Sequence, residues 1–197
     1  RANLIYTGWL YEIRYDDGKI TKFNSGNRVS QIQDSAGNTL LMSYSGAYLT
    51  GVTDTLGHTI SYEYFDHNRL KTVTDFNGRK VDFVYYTWLT DSGSYYDLKD
   101  IVLTNGTGTT KTINFEYTTD NSDDAGHNLT KLTDANGQVY VVNTYDANDR
   151  VATQRYGSGT LSYSYTLSGS TVSKNTVTDK LGHITEYTYD ANGNHTN

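Results

Sequence analysis

The feature that most constrains this sequence is a short motif, Asp-x-x-Gly, that recurs about every 20 residues. Residues 51–58, 72–79 and 176–183 are closely similar to one another around it. Self-similarity at a period of this length is typical of repeat architectures, in which each unit is one supersecondary element. The sequence therefore predicts about eight repeats, anchored at Asp34, Asp54, Asp75, Asp134 and Asp179, with weaker equivalents at Tyr15, Thr104 and Arg155.

Each repeat has the sequence pattern of a β-hairpin. Steps such as Asn77-Gly78 are the signature of a two-residue type I′ turn, which needs positive φ. Beyond each turn, apolar and aromatic residues recur with a period of two, which indicates strands with one apolar face. The predicted turns are Asp17-Gly18, Ala36-Gly37, Leu56-Gly57, Asn77-Gly78, Asn136-Gly137 and Leu181-Gly182.

Two further expectations concern side chains. The anchors Asp54 and Asp75 are expected to form Asx-type hydrogen bonds within their own turns. A second expectation is that one face of the sheet is the more buried. That face should hold Ile60, Tyr62, Val81, Phe83, Leu161 and Tyr163, and the more exposed residues should include Thr59, Ser61, Lys80 and Asp82.

Composition supports a fold made of strands and tight turns. The chain has 19 Tyr and 18 Gly but no Pro, and Tyr, Thr and Val favour strands while Asn, Asp and Gly favour turns.

The absence of Cys excludes disulfides and thiolate metal sites. A formal net charge of −6 without clustered cations disfavours a nucleic-acid partner. No apolar stretch approaches the roughly 18 residues of a spanning helix.

The connectors between hairpins carry a second signature, an aromatic-Asp step followed by Arg and an apolar residue, as in residues 64–70 and 145–151. With this signature the sequence resembles the Rhs/YD-repeat family, and it is also similar to teneurin-type YD shells. The resemblance implies an all-β array of about eight antiparallel hairpins that forms a curved or spiralling strip, a fragment of a hollow shell. Residues 1–197 are expected to form a single array, with insertions at about 88–99 and 118–128.

The resemblance also implies a function. The expected role is a structural shell segment of a large bacterial protein, secreted or at the cell surface, that encloses or carries a toxin polypeptide. Its partners would be the remainder of the shell and the enclosed polypeptide, so we expect the chain to be part of a longer protein. Shells of this family commonly end in a proline-containing self-cleaving segment, and this chain has no Pro. No catalytic residue, cofactor or metal ligand is therefore assigned, and no enzymatic activity is expected.

An alternative is an interaction module that binds a glycan or a cell-surface partner. An aromatic ring offers an apolar face beside a polar group, and the irregular cluster around the first insertion has the best claim to such a role. The candidate ligand-binding residues are Trp88, Tyr95 and Tyr96. Oxygen-rich segments 120–124 and 190–194 leave calcium open, although neither completes an EF-hand loop.

Two predictions remain. His58 and His183 follow Gly at equivalent places in different repeats, which favours packing at the turns over catalysis. An apolar sheet face or a terminal strand edge that nothing covers favours self-association.

Overall fold

The computed structural model describes residues 2–6, 10–65, 69–86, 88–90, 93–118 and 127–196, and only the backbone of 88–90 and 93–95. Within these ranges the protein is all-β, with 19 strands and no helix. The strands are β1 Ala2–Tyr6, β2 Tyr11–Tyr15, β3 Ile20–Phe23, β4 Val29–Gln33, β5 Thr39–Ser45, β6 Tyr48–Asp54, β7 Thr59–Tyr64, β8 Leu70–Thr74, β9 Lys80–Tyr85, β10 Trp88–Thr90, β11 Gly93–Tyr95, β12 Leu98–Thr104, β13 Thr110–Tyr117, β14 Leu129–Thr133, β15 Val139–Tyr145, β16 Val151–Tyr156, β17 Gly159–Ser168, β18 Thr171–Thr178 and β19 Ile184–Thr188.

The strands pair in the order in which the chain makes them. Seventeen belong to one sheet, and β10 and β11 form a separate two-stranded hairpin. From β1 to β9 and from β13 to β19, each strand is antiparallel to the next. Strand β12 pairs with β9 and β13. The predicted all-β array of antiparallel hairpins is confirmed.

The chain divides into two compact units. The first comprises Arg1–Phe83 and Val102–Thr110, and the second comprises Val84–Ile101 and Lys111–Asn197. Both are built from the same hairpins, joined by short turns. The expectation of one array from residue 1 to residue 197 stays a prediction.

Each of the six predicted turns lies between two strands, with its Gly at positive φ, but the predicted turn type is wrong. At the Asp134 turn the Gly137 amide donates to the Asp134 carbonyl at 3.0 Å, and the Asp134 amide donates to the Gln138 carbonyl at 2.8 Å. This is a three-residue loop whose last residue is left-handed, a type I turn followed by a G1 bulge. A type I′ turn would need positive φ at Asn136 too, and the only non-glycine residues with positive φ in the described ranges are Asn27 and Asp149.

The anchor side chain closes the turn on itself. The Asp54 Oδ1 accepts the backbone amides of Leu56 at 2.9 Å and His58 at 2.8 Å, and Asp75 makes the equivalent pair with Asn77 and Arg79. The predicted Asx-type bonding of Asp54 and Asp75 is confirmed. Each carboxylate satisfies two amides that the tight loop would otherwise leave unpaired.

Two of the weaker anchors were placed wrongly. The anchor of the fifth predicted hairpin is Asn105, because its Oδ1 accepts the amides of Thr107 and Thr109 at 3.0 and 2.9 Å, and Thr104 is the last residue of β12. At Arg155 the structure has no anchor, because a two-residue loop joins Tyr156 to Gly159. Tyr15 does occupy the anchor position, since its carbonyl accepts the Gly18 amide at 3.0 Å.

The sheet is thinly covered in both units. No hydrophobic residue in the described part of the chain is buried. Strand β17 shows the predicted alternation, with Leu161, Tyr163 and Tyr165 half-buried between exposed Ser and Thr residues. Two expectations fail, because Ile60 is 38% exposed and Asp82 is half-buried, where its Oδ1 accepts the Thr72 hydroxyl at 2.7 Å. The other residues have the predicted exposure: Tyr62, Val81, Phe83, Leu161 and Tyr163 half-buried, and Thr59, Ser61 and Lys80 exposed.

Candidate functional site

The described residues that flank the two insertions lie on neighbouring strands, β12 and β13. Strand β12 is a neighbour of both β9 and β13. The residue that precedes β12 and the residue that follows β13 therefore lie at the same end of this strand pair. The first connector, which precedes β12, is closed by the Tyr86 amide, which donates to the Asp97 carbonyl at 2.8 Å. The second, which follows β13, is closed by the Thr118 amide, which donates to the Asn128 carbonyl at 2.9 Å.

A compact polar and aromatic cluster joins the two connectors where they meet the sheet. We call Tyr86, Asp97, Lys99, Tyr117 and His127 the insert base. The His127 Nδ1 lies 2.6 Å from the Asp97 Oδ2, which links the second connector to the first. The Tyr86 and Tyr117 rings pack edge to face at 6.2 Å, and the Lys99 Nζ lies 5.5 Å from the Tyr86 ring centroid.

The tyrosines of the insert base are held as neutral phenols. Burial raises the pKa of Tyr86, and the nearby carboxylates of Asp100 and Glu116 raise it further. The pKa of Tyr117 is raised by burial first and then by the Asp97 carboxylate. Both rings therefore remain uncharged hydrogen-bonding groups at neutral pH, and neither is poised to act as a base.

The candidate ligand-binding residues fall on and beside the β10–β11 hairpin. Trp88 and Tyr95 are paired in register across its two strands, and the description covers their backbone but not their side chains. Tyr96 is half-buried and directly precedes Asp97 of the insert base. The structure thus places Trp88 and Tyr95 on one short hairpin with Tyr96 directly after it, and the binding role of the three residues stays a prediction.

The predicted packing of His58 and His183 at their turns is confirmed. The His58 Nδ1 lies 3.0 Å from the Asp54 Oδ2, and its ring stacks on Phe76 of the next turn with centroids 4.1 Å apart. The His183 Nδ1 lies 3.0 Å from the Asp179 Oδ2 in the equivalent turn. Both rings close their own turn.

The acidic segment 120–124 lies outside the described residues. The 190–194 segment forms an Asx turn, in which the Asp190 Oδ1 accepts the amides of Asn192 and Asn194 at 2.9 Å each. Over the described part of the chain, no three His, Cys, Asp or Glu side chains group closely enough to hold a metal ion. The same part contains no helix long and apolar enough to cross a membrane.

Sequence reasoning missed a recurrent tyrosine contact, which we call the tyrosine clamp. In four hairpins a tyrosine hydroxyl on the second strand donates to the backbone carbonyl of the residue that begins the first strand. The pairs are Tyr44 with Val29 at 2.7 Å, Tyr117 with Leu98 at 3.0 Å, Tyr145 with Leu129 at 2.8 Å and Tyr165 with Val151 at 2.8 Å. The available signal was the recurrence of Tyr near the end of each second strand, but the sequence does not show which carbonyl accepts.

In two of these four clamps, an Arg that precedes the accepting residue also contacts the tyrosine ring. The Arg150 guanidinium lies 4.7 Å from the Tyr165 ring centroid and also pairs with Asp146, with an Nη2–Oδ2 distance of 2.7 Å. Arg28 lies 6.0 Å from the Tyr44 ring centroid in the same manner. Arg150 therefore links Asp146 of its own connector to Tyr165 of the hairpin that follows.

Comparison with solved structures shows limited overall similarity. A porin-like protein from Bacteroides uniformis matches with a TM-score of 0.41 and 16% identity over 99% of this chain and 91% of that one. The TcdB2-TccC3-TEV structure matches with a TM-score of 0.36 and 10% identity over 98% of this chain. The Tc holotoxin pore of Photorhabdus luminescens matches with a TM-score of 0.31 and 10% identity, also over 98%. The chain spans 14% and 16% of the lengths of these last two chains.

Comparison with curated protein sequences gives no match. The family model of the RHS repeat matches residues 123–161, which include β14, the Asp134 turn, β15, the Tyr145-Asp146 connector and β16. These are the elements that carry both signatures of the sequence, the Asp-x-x-Gly turn and the Tyr-Asp step. The match confirms the family resemblance over residues 123–161.

Proposed function

We propose that this chain is a wall segment of the β-shell of a large bacterial Rhs/YD-repeat protein, secreted or at the cell surface, and that the shell encloses or carries a toxin polypeptide. The observation that carries the proposal is a long succession of antiparallel hairpins without a buried hydrophobic residue in the described ranges. A globular domain packs a second layer over its sheet to form a core. A sheet without that layer suits a wall, whose inner face the contents can cover.

The chemistry of the hairpins supports this role. Tyrosine clamps and Asx turns satisfy polar groups within and between neighbouring strands, so the wall needs no second layer to pair them. The half-buried rings of Tyr163 and Tyr165 alternate with exposed Ser and Thr residues along β17. One face of the wall is therefore the more apolar and would contact an enclosed, incompletely folded polypeptide.

Limited proteolysis of the natural full-length polypeptide that contains this chain tests the proposal. A polypeptide enclosed by the shell should resist a protease concentration that degrades the same polypeptide expressed without the shell. Opening the wall with Gly137→Val and Gly182→Val, which place a β-branched residue at φ of 79° and 84°, should restore cleavage. If no segment is protected in the intact protein, the enclosure proposal is wrong.

A second candidate function is glycan binding at the first insertion. The observation in its favour is that the β10–β11 hairpin pairs Trp88 with Tyr95 and leads through Tyr96 into the insert base. Aromatic residues on a hairpin that leads into a polar base combine flat apolar surface with hydrogen-bonding groups. This arrangement is suited to a sugar ring.

A glycan array separates the two functions. The intact chain is compared with a Trp88→Ser, Tyr95→Ser, Tyr96→Ser variant, and with a Tyr140→Ser, Tyr156→Ser variant that removes an exposed tyrosine pair elsewhere. Glycan binding predicts that only the first variant loses signal, since truncating one aromatic anchor typically costs about 2 kcal/mol. Circular dichroism must first show that both variants are folded. Absence of binding by the intact chain would exclude this candidate.

A further inference from the structure

Four Asn-Gly steps occur in the chain: Asn77-Gly78, Asn105-Gly106, Asn136-Gly137 and Asn192-Gly193. Asn is a chemically labile residue. At such a step the glycine amide nitrogen can attack the Asn side-chain carbonyl, because Gly has no Cβ to restrict the backbone or block the approach. The local sequence is similar at the four steps, but the structure distinguishes one of them.

In three of the four steps the glycine nitrogen that would attack already donates a hydrogen bond. The amides of Gly78, Gly137 and Gly193 each donate to the carbonyl of their turn anchor at 3.0 Å. These glycines also hold φ between 77° and 80°, so attack on the Asn would require the turn to open. The hairpin turn therefore protects Asn77, Asn136 and Asn192.

The fourth step is shifted within its turn. Asn105 is itself the anchor, so the glycine that closes the loop is Gly108, whose amide donates to the Asn105 carbonyl at 3.1 Å. Gly106 occupies the first loop position, and no acceptor in the described part of the chain takes its amide hydrogen. The nitrogen that would attack Asn105 is thus free.

The side-chain carbonyl of Asn105 is also activated. Its Oδ1 accepts the backbone amides of Thr107 at 3.0 Å and Thr109 at 2.9 Å, and the Thr107 hydroxyl at 2.8 Å. Negative charge develops on this oxygen when a nucleophile adds to the attached carbon. Donors already directed at such an oxygen stabilise the addition step, as in an oxyanion hole.

We propose that Asn105 is a site of spontaneous deamidation in the folded protein. The Gly106 nitrogen bonds to the Asn105 Cγ, the side-chain nitrogen leaves as ammonia with the Gly106 proton, and a cyclic imide remains. Water then opens the imide at either carbonyl and gives aspartate or isoaspartate at position 105. Water is the only co-reactant, and no oxidation or reduction occurs.

The aspartate product fits the architecture. The equivalent anchors Asp34, Asp54, Asp75, Asp134 and Asp179 accept the same pair of backbone amides with a carboxylate. Deamidation to aspartate therefore converts a neutral anchor into the charged form used elsewhere in the chain. Isoaspartate adds a methylene to the backbone and would disrupt the bond from the Asn105 amide to the Thr109 carbonyl, which is 3.0 Å long.

The test follows the four steps by mass spectrometry of peptides after incubation of the intact protein near neutral pH, with a urea-unfolded sample as reference. For each Asn, the conversion rate in the folded protein is divided by its rate in the unfolded chain. This ratio should be about tenfold higher for Asn105 than for each of the other three, because one hydrogen bond on the attacking amide corresponds to about that factor. Enzymatic methylation of isoaspartate should identify the second product.

Two variants sharpen the test. Gly106→Ala should slow conversion at position 105, but a Cβ there would lie 3.1 Å from the Asn77 carbonyl oxygen. Thr107→Ala avoids that contact and should slow conversion by removing one donor to the Oδ1, while leaving the other three steps unchanged. Equal relative rates at all four steps, or an intact Asn105 while another Asn converts, would overturn the proposal. So would a folded chain in which none converts while the unfolded chain converts at all four.

Discussion

At the scale of single residues, the tyrosines divide by what their hydroxyls do. Tyr165 donates to the Val151 carbonyl at 2.8 Å and lies under the Arg150 guanidinium. Tyr163 is on the same strand two residues earlier, is half-buried like Tyr165, and makes no side-chain hydrogen bond within the described residues. The two differ in the clamp and in the Arg150 contact, and since a Phe ring keeps that contact, replacing each Tyr by Phe isolates the effect of the hydroxyl.

Tyr165→Phe should therefore lower the free energy of unfolding by about 1 kcal/mol, the usual net value of one hydrogen bond. Tyr163→Phe should change it little, because it removes no such bond. Urea denaturation followed by circular dichroism measures both. Equal losses in the two variants would show that ring packing, and not the clamp, stabilises the hairpin.

The anchor aspartates are a second residue-scale feature. The Asn38 side chain donates to the Asp34 carboxylate and lowers its pKa, and the Arg150 side chain does the same for Asp146. The pKa of Asp190 is lowered first by the Asn194 side chain. A carboxylate with a lowered folded-state pKa contributes stability above its unfolded-state pKa and loses it as pH falls.

Acid should thus destabilise the hairpins progressively. An Asp carboxyl in an unfolded chain has a pKa of about 3.9, so the urea midpoint should be constant near neutral pH and fall as pH drops below this value. Asp34→Asn keeps the Oδ1 acceptor, as Asn105 does in its own turn, and should reduce the acid dependence while costing less stability than Asp34→Ala. A urea midpoint that does not change with acid would contradict the anchor role.

At the scale of elements, each hairpin closed by an Asp-x-x-Gly turn depends on one left-handed glycine. Gly137 has a φ of 79°, and a Cβ built on it would meet no atom within 4 Å. Any cost of a side chain there is therefore a backbone cost. The corresponding positions of two connectors are filled by Asn27 and Asp149, each at φ 58°, because short polar side chains tolerate this conformation.

Gly137→Ala should consequently destabilise the protein by about 1 kcal/mol, and Gly137→Asn by less. Thermal unfolding of the two variants beside the parent gives the comparison. If Asn costs as much as Ala, the polar residues at the connectors are tolerated for another reason. The same ranking is expected at Gly182, where φ is 84° and the space is also open.

At the scale of the whole molecule, most residues of the first and the last strand of the sheet are exposed. Strand β1 pairs with β2, and β19 with β18. Both carry exposed apolar side chains, with Leu4 68% and Ile184 65% exposed. Exposed apolar strand edges recruit further strands unless a charge or a covering segment blocks them. We therefore expect the isolated chain to self-associate through these edges.

Sedimentation velocity over a range of concentrations tests this expectation. Leu4→Lys with Ile184→Lys should shift the chain towards monomer, since a charge on an edge strand opposes pairing. Leu56→Lys is the control, because Leu56 is 79% exposed but lies on a turn. A parent chain that is monomeric at every concentration would exclude the association, and an equal effect of the control would exclude the edges as its site.

Much of this fold could be predicted from sequence because the interactions that form its turns and strands join residues close in sequence. The Asp-x-x-Gly spacing placed the turns at Gly37, Gly57 and Gly137, since anchor, loop and closing glycine lie within five residues and bond to each other. Period-two aromatics predicted β17 for the same reason, because the pleat alone sets the alternation. The role of His58 followed from its place beside the turn.

The tertiary structure decided what depends on residues distant in sequence. The Tyr165 hydroxyl bonds a carbonyl 14 residues away, and strand pairing alone brings the two together. The joining of the connectors by Asp97 and His127, 30 residues apart, has the same origin. Exposure of Ile60 was not predictable either, because alternation shows which side chains share a face but not whether anything covers it. Sequence by itself determined where this chain turns and where apolar and polar residues alternate along its strands, and cross-strand pairing decided which side chains meet.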